Sequence, residues 1–85
     1  MNEEQIIKVA KVLEEWNPLG ERANTVEQLD GYRYEAIDII ATIKIVNSTN
    51  QIKKSIEQVL TQAFNIELNQ ADLEEKAEKI KNLLN

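Results

Sequence analysis

The stretch Tyr34-Glu35-Ala36-Ile37-Asp38-Ile39-Ile40-Ala41-Thr42-Ile43-Lys44-Ile45-Val46 decides the fold of this chain. Its apolar residues fall on nearly every side of a helix, which is the pattern of a helix buried in a core. Its β-branched content also fits a core strand, but the chain contains no second strand candidate that could pair with it. We therefore predict a buried central helix from about Tyr32 or Tyr34 to Val46.

Three further helices are predicted around this one. The first runs from about Glu3 to Glu15 with Asn2 as its N-cap, and it ends before Pro18, which disfavours helical angles at the preceding residue. The third runs from about Asn50 to Phe64, and Asn69 caps a fourth. Apolar residues recur in these helices at steps of three and four: Ile6, Val9, Ala10, Leu13 and Trp16, then Ile52, Ile56, Val59, Leu60, Ala63 and Phe64, then Leu73, Ala77, Ile80 and Leu84.

Residues 17–31 would form a long loop for a small domain. Asn24 and Glu27 have the spacing of a helix cap, and Asp30-Gly31 is typical of a helix stop, so we predict one short helical turn in this segment. The chain has 85 residues, which suffice for one domain with a single core. The predicted fold is an all-α domain over residues 1–85, a compact bundle of four main helices with a long, partly helical loop between helices 1 and 2.

The composition argues against several kinds of chemistry. The chain has no cysteine and no histidine, so disulfides, thiolate catalysis and zinc–thiolate sites are excluded, and the commonest general base near neutral pH is missing. No G-x-S-x-G motif and no glycine-rich phosphate loop occurs. We therefore expect no catalytic residue, no metal ion and no cofactor.

The charge and the hydropathy pattern limit the partners. The formal net charge is −5, which repels nucleic acid and favours a basic partner. No stretch approaches the roughly 20 apolar residues that a membrane span needs. The acidic start Met1-Asn2-Glu3-Glu4 is unlike a secretory signal. These features predict a cytoplasmic protein that binds neither nucleic acid nor membrane.

The segment Trp16–Tyr34 holds the only tryptophan, the only proline, and both glycines, tyrosines and arginines of the chain. Tryptophan, tyrosine and arginine are enriched in binding hot spots. One interpretation is a protein-binding surface formed by Trp16, Pro18, Leu19, Arg22, Tyr32, Arg33 and Tyr34. The other is a packed cover over one end of the bundle, with Trp16 and Pro18 buried and the tyrosine hydroxyls in water. Both can hold, because a folded cover has an outer surface.

Two groups of polar residues are candidate sites. Asp30, Glu35 and Asp38 could hold a metal ion or divide acid and base duties, but a structural polar network with a loop amide, Arg22, Arg33 or a tyrosine is the favoured interpretation. The segment Asn47-Ser48-Thr49-Asn50, with Lys53 and Lys54, could hold an anion at a helix N-terminus. Solvated lysines after an ordinary cap are the favoured interpretation there.

Two short motifs resemble a known family. Trp16-Asn17-Pro18-Leu19-Gly20 after the first helix, and Tyr34-Glu35-Ala36-Ile37-Asp38-Ile39-Ile40 at the start of the second, resemble the small YugE-like proteins of low-GC Gram-positive bacteria, a domain of unknown function. The resemblance implies a compact all-helical cytoplasmic domain and carries no activity or cofactor. The residues that match its motifs are Trp16, Pro18, Tyr34, Glu35 and Asp38.

The sequence supports four hypotheses on function. The leading one is a non-enzymatic protein that binds an unknown protein partner through Trp16–Tyr34, with the net charge favouring a basic partner. A more specific version is an acidic immunity or inhibitor protein that masks a basic toxin or nuclease. An exposed apolar face on the first or fourth helix could also close a homodimer. A carboxylate-dependent hydrolase or metal-binding protein that uses Asp30, Glu35 and Asp38 has the least support.

Overall fold

Four helices form the fold that the sequence predicts. The computed structural model of the protein describes residues 2–27, 29–43 and 48–84, and these contain helices and 3₁₀ turns but no strand. The helices are α1 (Glu3–Trp16), α2 (Arg33–Thr42), α3 (Thr49–Phe64) and α4 (Gln70–Leu84). They pack in a ring in which α1 contacts α2 and α4, and α3 also contacts both of these helices. The prediction of an all-α bundle of four main helices is confirmed.

Side-chain caps begin three of the helices. The Oδ1 atom of Asn2 accepts a hydrogen bond from the amide of Glu4 at 2.7 Å, and Asn69 accepts one from the amide of Asp72 at 3.0 Å. Ser48 accepts a bond from the amide of Gln51 at 3.2 Å. Each bond satisfies an amide that the first turn of a helix leaves free. The caps predicted at Asn2 and Asn69 are confirmed.

Two helices end in the same way, at an asparagine that follows an aromatic residue. Asn17 has φ 51° and donates its amide to the carbonyl of Leu13, and Asn65 has φ 52° and donates to the carbonyl of Thr61. Asparagine tolerates this left-handed conformation, which turns the chain away from the helix axis. The helix end predicted before Pro18 is therefore confirmed.

The second helix differs from its prediction. It ends at Thr42, and its only fully buried residues are Ala36 and Ile39, whereas Ala41 is exposed. The physical reason is that α2 packs on α1 and α3 and leaves its third side open. The prediction of a helix buried on every side is wrong for the described residues, and its last residues, 44–46, lie outside them.

Helix α3 contributes more buried residues to the core than any other helix: Ile52, Ser55, Ile56, Val59 and Leu60. They pack with Val9 and Leu13 of α1, Ile39 of α2, and Leu73, Ala77 and Ile80 of α4. Leu73, Ala77 and Ile80 of the apolar stripe predicted for α4 are therefore buried inside the bundle.

The segment between α1 and α2 contains two 3₁₀ turns, at Gly20–Thr25 and Asp30–Tyr32. The prediction of a partly helical loop is confirmed, but its details differ. Helical structure begins earlier than the cap predicted at Asn24, and Asp30-Gly31 forms a turn of its own in place of a helix stop. No helix in the described part of the chain combines the length and apolar character that a bilayer crossing requires.

We expect Leu60→Ala to lower the free energy of unfolding by about 2–5 kcal/mol, because it removes fully buried methyl groups and leaves a cavity. Urea denaturation followed by circular dichroism measures the change. The control is Gln62→Ala, an exposed position on the same helix, where we expect a change below about 0.5 kcal/mol. Similar losses for both variants would contradict the burial of Leu60 in the core.

Candidate functional site

The candidate site is a groove between α1 and the start of α2, called here the α1–α2 groove. It has a volume of about 590 Å³. Its apolar lining consists of Ile7, Ala10 and Gly31, and its charged lining consists of Lys11, Glu14, Glu15, Asp30 and Arg33. An apolar concavity with a charged border is a common form of binding site.

Ile7 is the most unusual residue of the groove. Its exposed fraction is 56%, the same as that of Tyr34, and these are the two large hydrophobic residues that the described part of the chain leaves exposed. Ile6, Val9 and Leu13 form the buried side of α1, so Ile7 lies on a different side of the helix. The position of Ile7 outside the apolar stripe of α1 is the sequence feature that could have indicated this exposed face.

One wall of the groove has an unusual backbone. Asp30, Gly31 and Tyr32 have φ values of 47°, 61° and 64°, three left-handed residues in succession. Only glycine adopts this conformation without steric cost, which is about 1–2 kcal/mol for other residues. A Cβ atom at Gly31 would lie 2.8 Å from Oε2 of Glu14, so this turn lies directly against the side chains of α1.

Tyr32 holds this strained turn in place. Its side chain is 1% exposed, and its ring meets that of Phe64 edge to face with a centroid separation of 6.2 Å. The hydroxyl donates to Oδ1 of Asn17 at 2.8 Å and accepts from the amide of Leu19 at 3.3 Å. Burial is the main cause that raises the pKa of Tyr32 above its ordinary value. The prediction of a wet hydroxyl is therefore wrong for Tyr32.

Arginines connect this segment to two helices. Arg33 donates two hydrogen bonds to the carboxylate of Glu3, at 2.6 and 2.8 Å, and so joins the first turn of α2 to that of α1. This pairing lowers the pKa of Glu3 and raises that of Arg33. Arg22 donates to the carbonyl of Phe64 at 3.1 Å, where a cation also suits the C-terminal end of α3.

The seven residues predicted to bind a partner therefore occupy different positions. Leu19 and Tyr32 are buried, and Trp16 and Pro18 are half-buried, with Trp16 packed on the core. Among the rest, Arg22 and Tyr34 are exposed and Arg33 lies at the edge of the groove. This corrects the expectation for Leu19 and Tyr32, which support the surface from inside because their side chains do not reach solvent.

The three carboxylates of the predicted polar network are not brought together. Asp30 lines the α1–α2 groove, whereas Asp38 lines a different groove, between α2 and α3. Within the described residues, both arginines bond to other groups, and Oε1 of Glu35 is buried without a hydrogen-bond partner. Among the described residues, the side-chain hydrogen bonds of the two arginines therefore go to Glu3 and Phe64, while Asp30 acts on Arg33 through its charge.

The structure also disfavours anion binding near the start of α3. Thr49 donates its hydroxyl to a carboxylate oxygen of Glu78 at 2.7 Å, so negative charge already lies beside this helix start. Ser48 acts as the ordinary cap described above, and Asn47 lies outside the described residues. The charge of Glu78 would repel an anion at this position.

The α1 residues of the groove were not among the predicted site residues. Ile7, Lys11, Glu14 and Glu15 have the spacing of one side of a helix, but only the fold shows that Asp30–Arg33 returns to this side. Sequence spacing alone does not reveal such a contact.

No family model, curated protein or solved structure matches this chain. By its fold and its groove, the protein is a small four-helix domain with an apolar groove on one face, bordered by three carboxylates and two cations. The resemblance to the YugE-like family stays a prediction.

We expect Tyr32→Phe to lower the free energy of unfolding by about 1–3 kcal/mol, because the amide of Leu19 loses its buried acceptor. The matched control is Tyr34→Phe, since its ring is largely exposed and its loss should stay below about 0.5 kcal/mol. Chemical denaturation of both variants tests this, and equal stability of the two would show that the Tyr32 hydroxyl does not hold the turn.

Glu35 provides a pH-dependent prediction. Burial, and secondarily the charge of Asp38, raises the pKa of Glu35 above 4.5, so its ionised form destabilises the folded state. The stability that protonated Glu35 contributes is present below pH 4.5 and is lost as the pH rises through the raised pKa. We expect Glu35→Gln to stabilise the protein at pH 7 by up to about 1 kcal/mol, since the group is only partly shielded from water.

The stabilisation by Glu35→Gln should disappear near pH 4, where wild-type Glu35 is already protonated. Urea denaturation at pH 4 and pH 7 measures it, with Glu74→Gln on the exposed side of α4 as the control. A gain that is equal at both pH values would contradict the assignment.

Proposed function

We propose that this chain is a non-enzymatic, cytoplasmic protein that acts by binding another protein, and that the α1–α2 groove is the centre of its contact surface. The observation that supports the proposal most directly is the exposed Ile7 inside an apolar concavity. Complete burial of an isoleucine side chain is worth about 1.5–3 kcal/mol. A partner that covers the exposed part of Ile7 therefore gains binding free energy at this point.

The surface extends from the groove onto the Trp16–Tyr34 segment. Arg33 borders the groove, and the next residue, Tyr34, presents a largely exposed ring. Arginine and tyrosine are frequent anchors of protein interfaces. The Glu3 pair fixes the guanidinium of Arg33, so a partner would meet an ordered side chain and lose less conformational entropy on binding.

Self-association is a second candidate, and the exposure of Ile7 on the first helix favours it. The apolar stripe of α4 is buried within the bundle, so the α1 side is the better surface for a homodimer. An immunity or inhibitor protein that masks a basic toxin or nuclease would be a specific case of the leading proposal.

A photo-crosslinking amino acid in place of Lys11 tests the proposed surface, because Lys11 lines the groove. In an extract of the native cell, we expect it to crosslink one discrete protein, which mass spectrometry then identifies. The same amino acid in place of the exposed Glu74 on α4 is the control and should not crosslink that protein. A product of two copies of this chain would support self-association.

The purified partner then allows a quantitative check. Ile7→Ser should weaken its binding at least about tenfold, equal to about 1.4 kcal/mol, as measured by calorimetry. A partner whose affinity is unchanged by Ile7→Ser, or one that crosslinks equally from position 74, would remove the groove from the contact surface.

A further inference from the structure

We propose that the α1–α2 groove takes a basic segment of its protein partner, with a lysine or arginine side chain as the anchor. The aliphatic stem of this side chain would lie on Ile7 and Ala10, and its charged end would face Glu14 and Asp30. The inference rests on the proposed function, since it names the chemistry of the partner at the same groove.

The charges of the groove are unbalanced. Together with Glu3, which pairs with Arg33, the carboxylates of Glu14, Glu15 and Asp30 outnumber the two cations of the lining, Lys11 and Arg33. Arg33 also interacts with the charge of Asp30. The ion pairs of the described residues involve none of these three carboxylates. A partner with positive charge at this point would meet an excess of negative charge, and the net charge of −5 would accelerate its approach.

Two of the carboxylates that line the groove, those of Glu14 and Asp30, come from different elements that contact each other. Oε2 of Glu14 lies close enough to Gly31 that a Cβ atom there would be 2.8 Å away, and Asp30 is the preceding residue in the chain. The left-handed turn therefore brings the carboxylate of α1 to the backbone next to Asp30. This arrangement offers acceptors on both sides of the groove for one ammonium or guanidinium group.

The groove lining favours a basic side chain over a bare metal ion. A hard cation such as Ca²⁺ needs six to eight oxygen ligands that converge on one point. In residues 2–27, 29–43 and 48–84, no group of three or more acidic side chains is placed to hold a metal ion. Separated carboxylates beside apolar surface suit lysine and arginine, which combine an aliphatic stem with a charged end.

Two labelled peptides of 18 residues test the inference. Both place leucines on one face of an amphipathic helix, and the other face carries lysines in the first peptide and glutamates in the second. Fluorescence anisotropy should show binding of the lysine peptide and at least tenfold weaker binding of the glutamate peptide. Absence of lysine-peptide binding, or equal affinity for both peptides, would overturn the inference.

Matched variants then locate the charge effect. The combination Glu14→Gln, Glu15→Gln and Asp30→Asn should weaken lysine-peptide binding about tenfold or more and reduce its dependence on salt. Asparagine is compatible with the left-handed conformation at position 30, and circular dichroism checks the fold. The control, Glu21→Gln, Glu67→Gln and Glu74→Gln, changes the net charge from −5 by the same three units outside the groove and should retain the affinity.

Equal losses in the two triple variants would show a nonspecific charge effect and would overturn the inference. The identified partner separates this failure from that of the proposed function. If Ile7→Ser abolishes partner binding while the groove triple variant leaves it unchanged, the groove binds a protein but its occupant is not basic.

Discussion

The buried hydroxyl of Tyr32 is the interaction on which the shape of this protein depends. It bonds to Asn17 and Leu19 at one end of the connecting segment, while its own backbone lies at the other end. Its ring packs against Phe64 at the end of α3, and Arg22 bonds to the carbonyl of the same residue. One side chain thus fixes the end of α1, the start of α2 and their connection to α3.

The groove is a consequence of this arrangement. Because Tyr32 is held inside, the residues before and after it are held against the outer side of α1, where Gly31 contacts Glu14 and Arg33 reaches Glu3. The left-handed run has a steric cost at two of its three residues, which burial and hydrogen bonds of Tyr32 offset. A packed cover and a shaped outer surface are therefore two sides of the same segment.

Local sequence signals predicted the four helices. The features that these signals did not predict depend on contacts between residues that are far apart in the sequence. Asn2 and Asn69 mark the starts of α1 and α4 in the sequence, because the side chain of a cap accepts a hydrogen bond from an amide within three residues. The partners of Arg33 and Tyr32 lie 30 and 15 residues away along the chain, and no spacing rule connects them. The extent of α2 was overestimated for a related reason: an all-round apolar pattern shows that burial would be favourable, but only packing shows which sides are covered.

The departures from local rules are not spread evenly through the molecule. An exposed isoleucine and a left-handed aspartate both line the α1–α2 groove, and the left-handed Tyr32 lies directly behind its wall. In the rest of the bundle, caps, apolar stripes and buried positions agree with one another. Glu35 is an exception, because it does not line the groove and its Oε1 atom is buried without a hydrogen-bond partner. Such inconsistencies are expected where selection for binding competes with stability, and their concentration around one groove is the reason to look for function there.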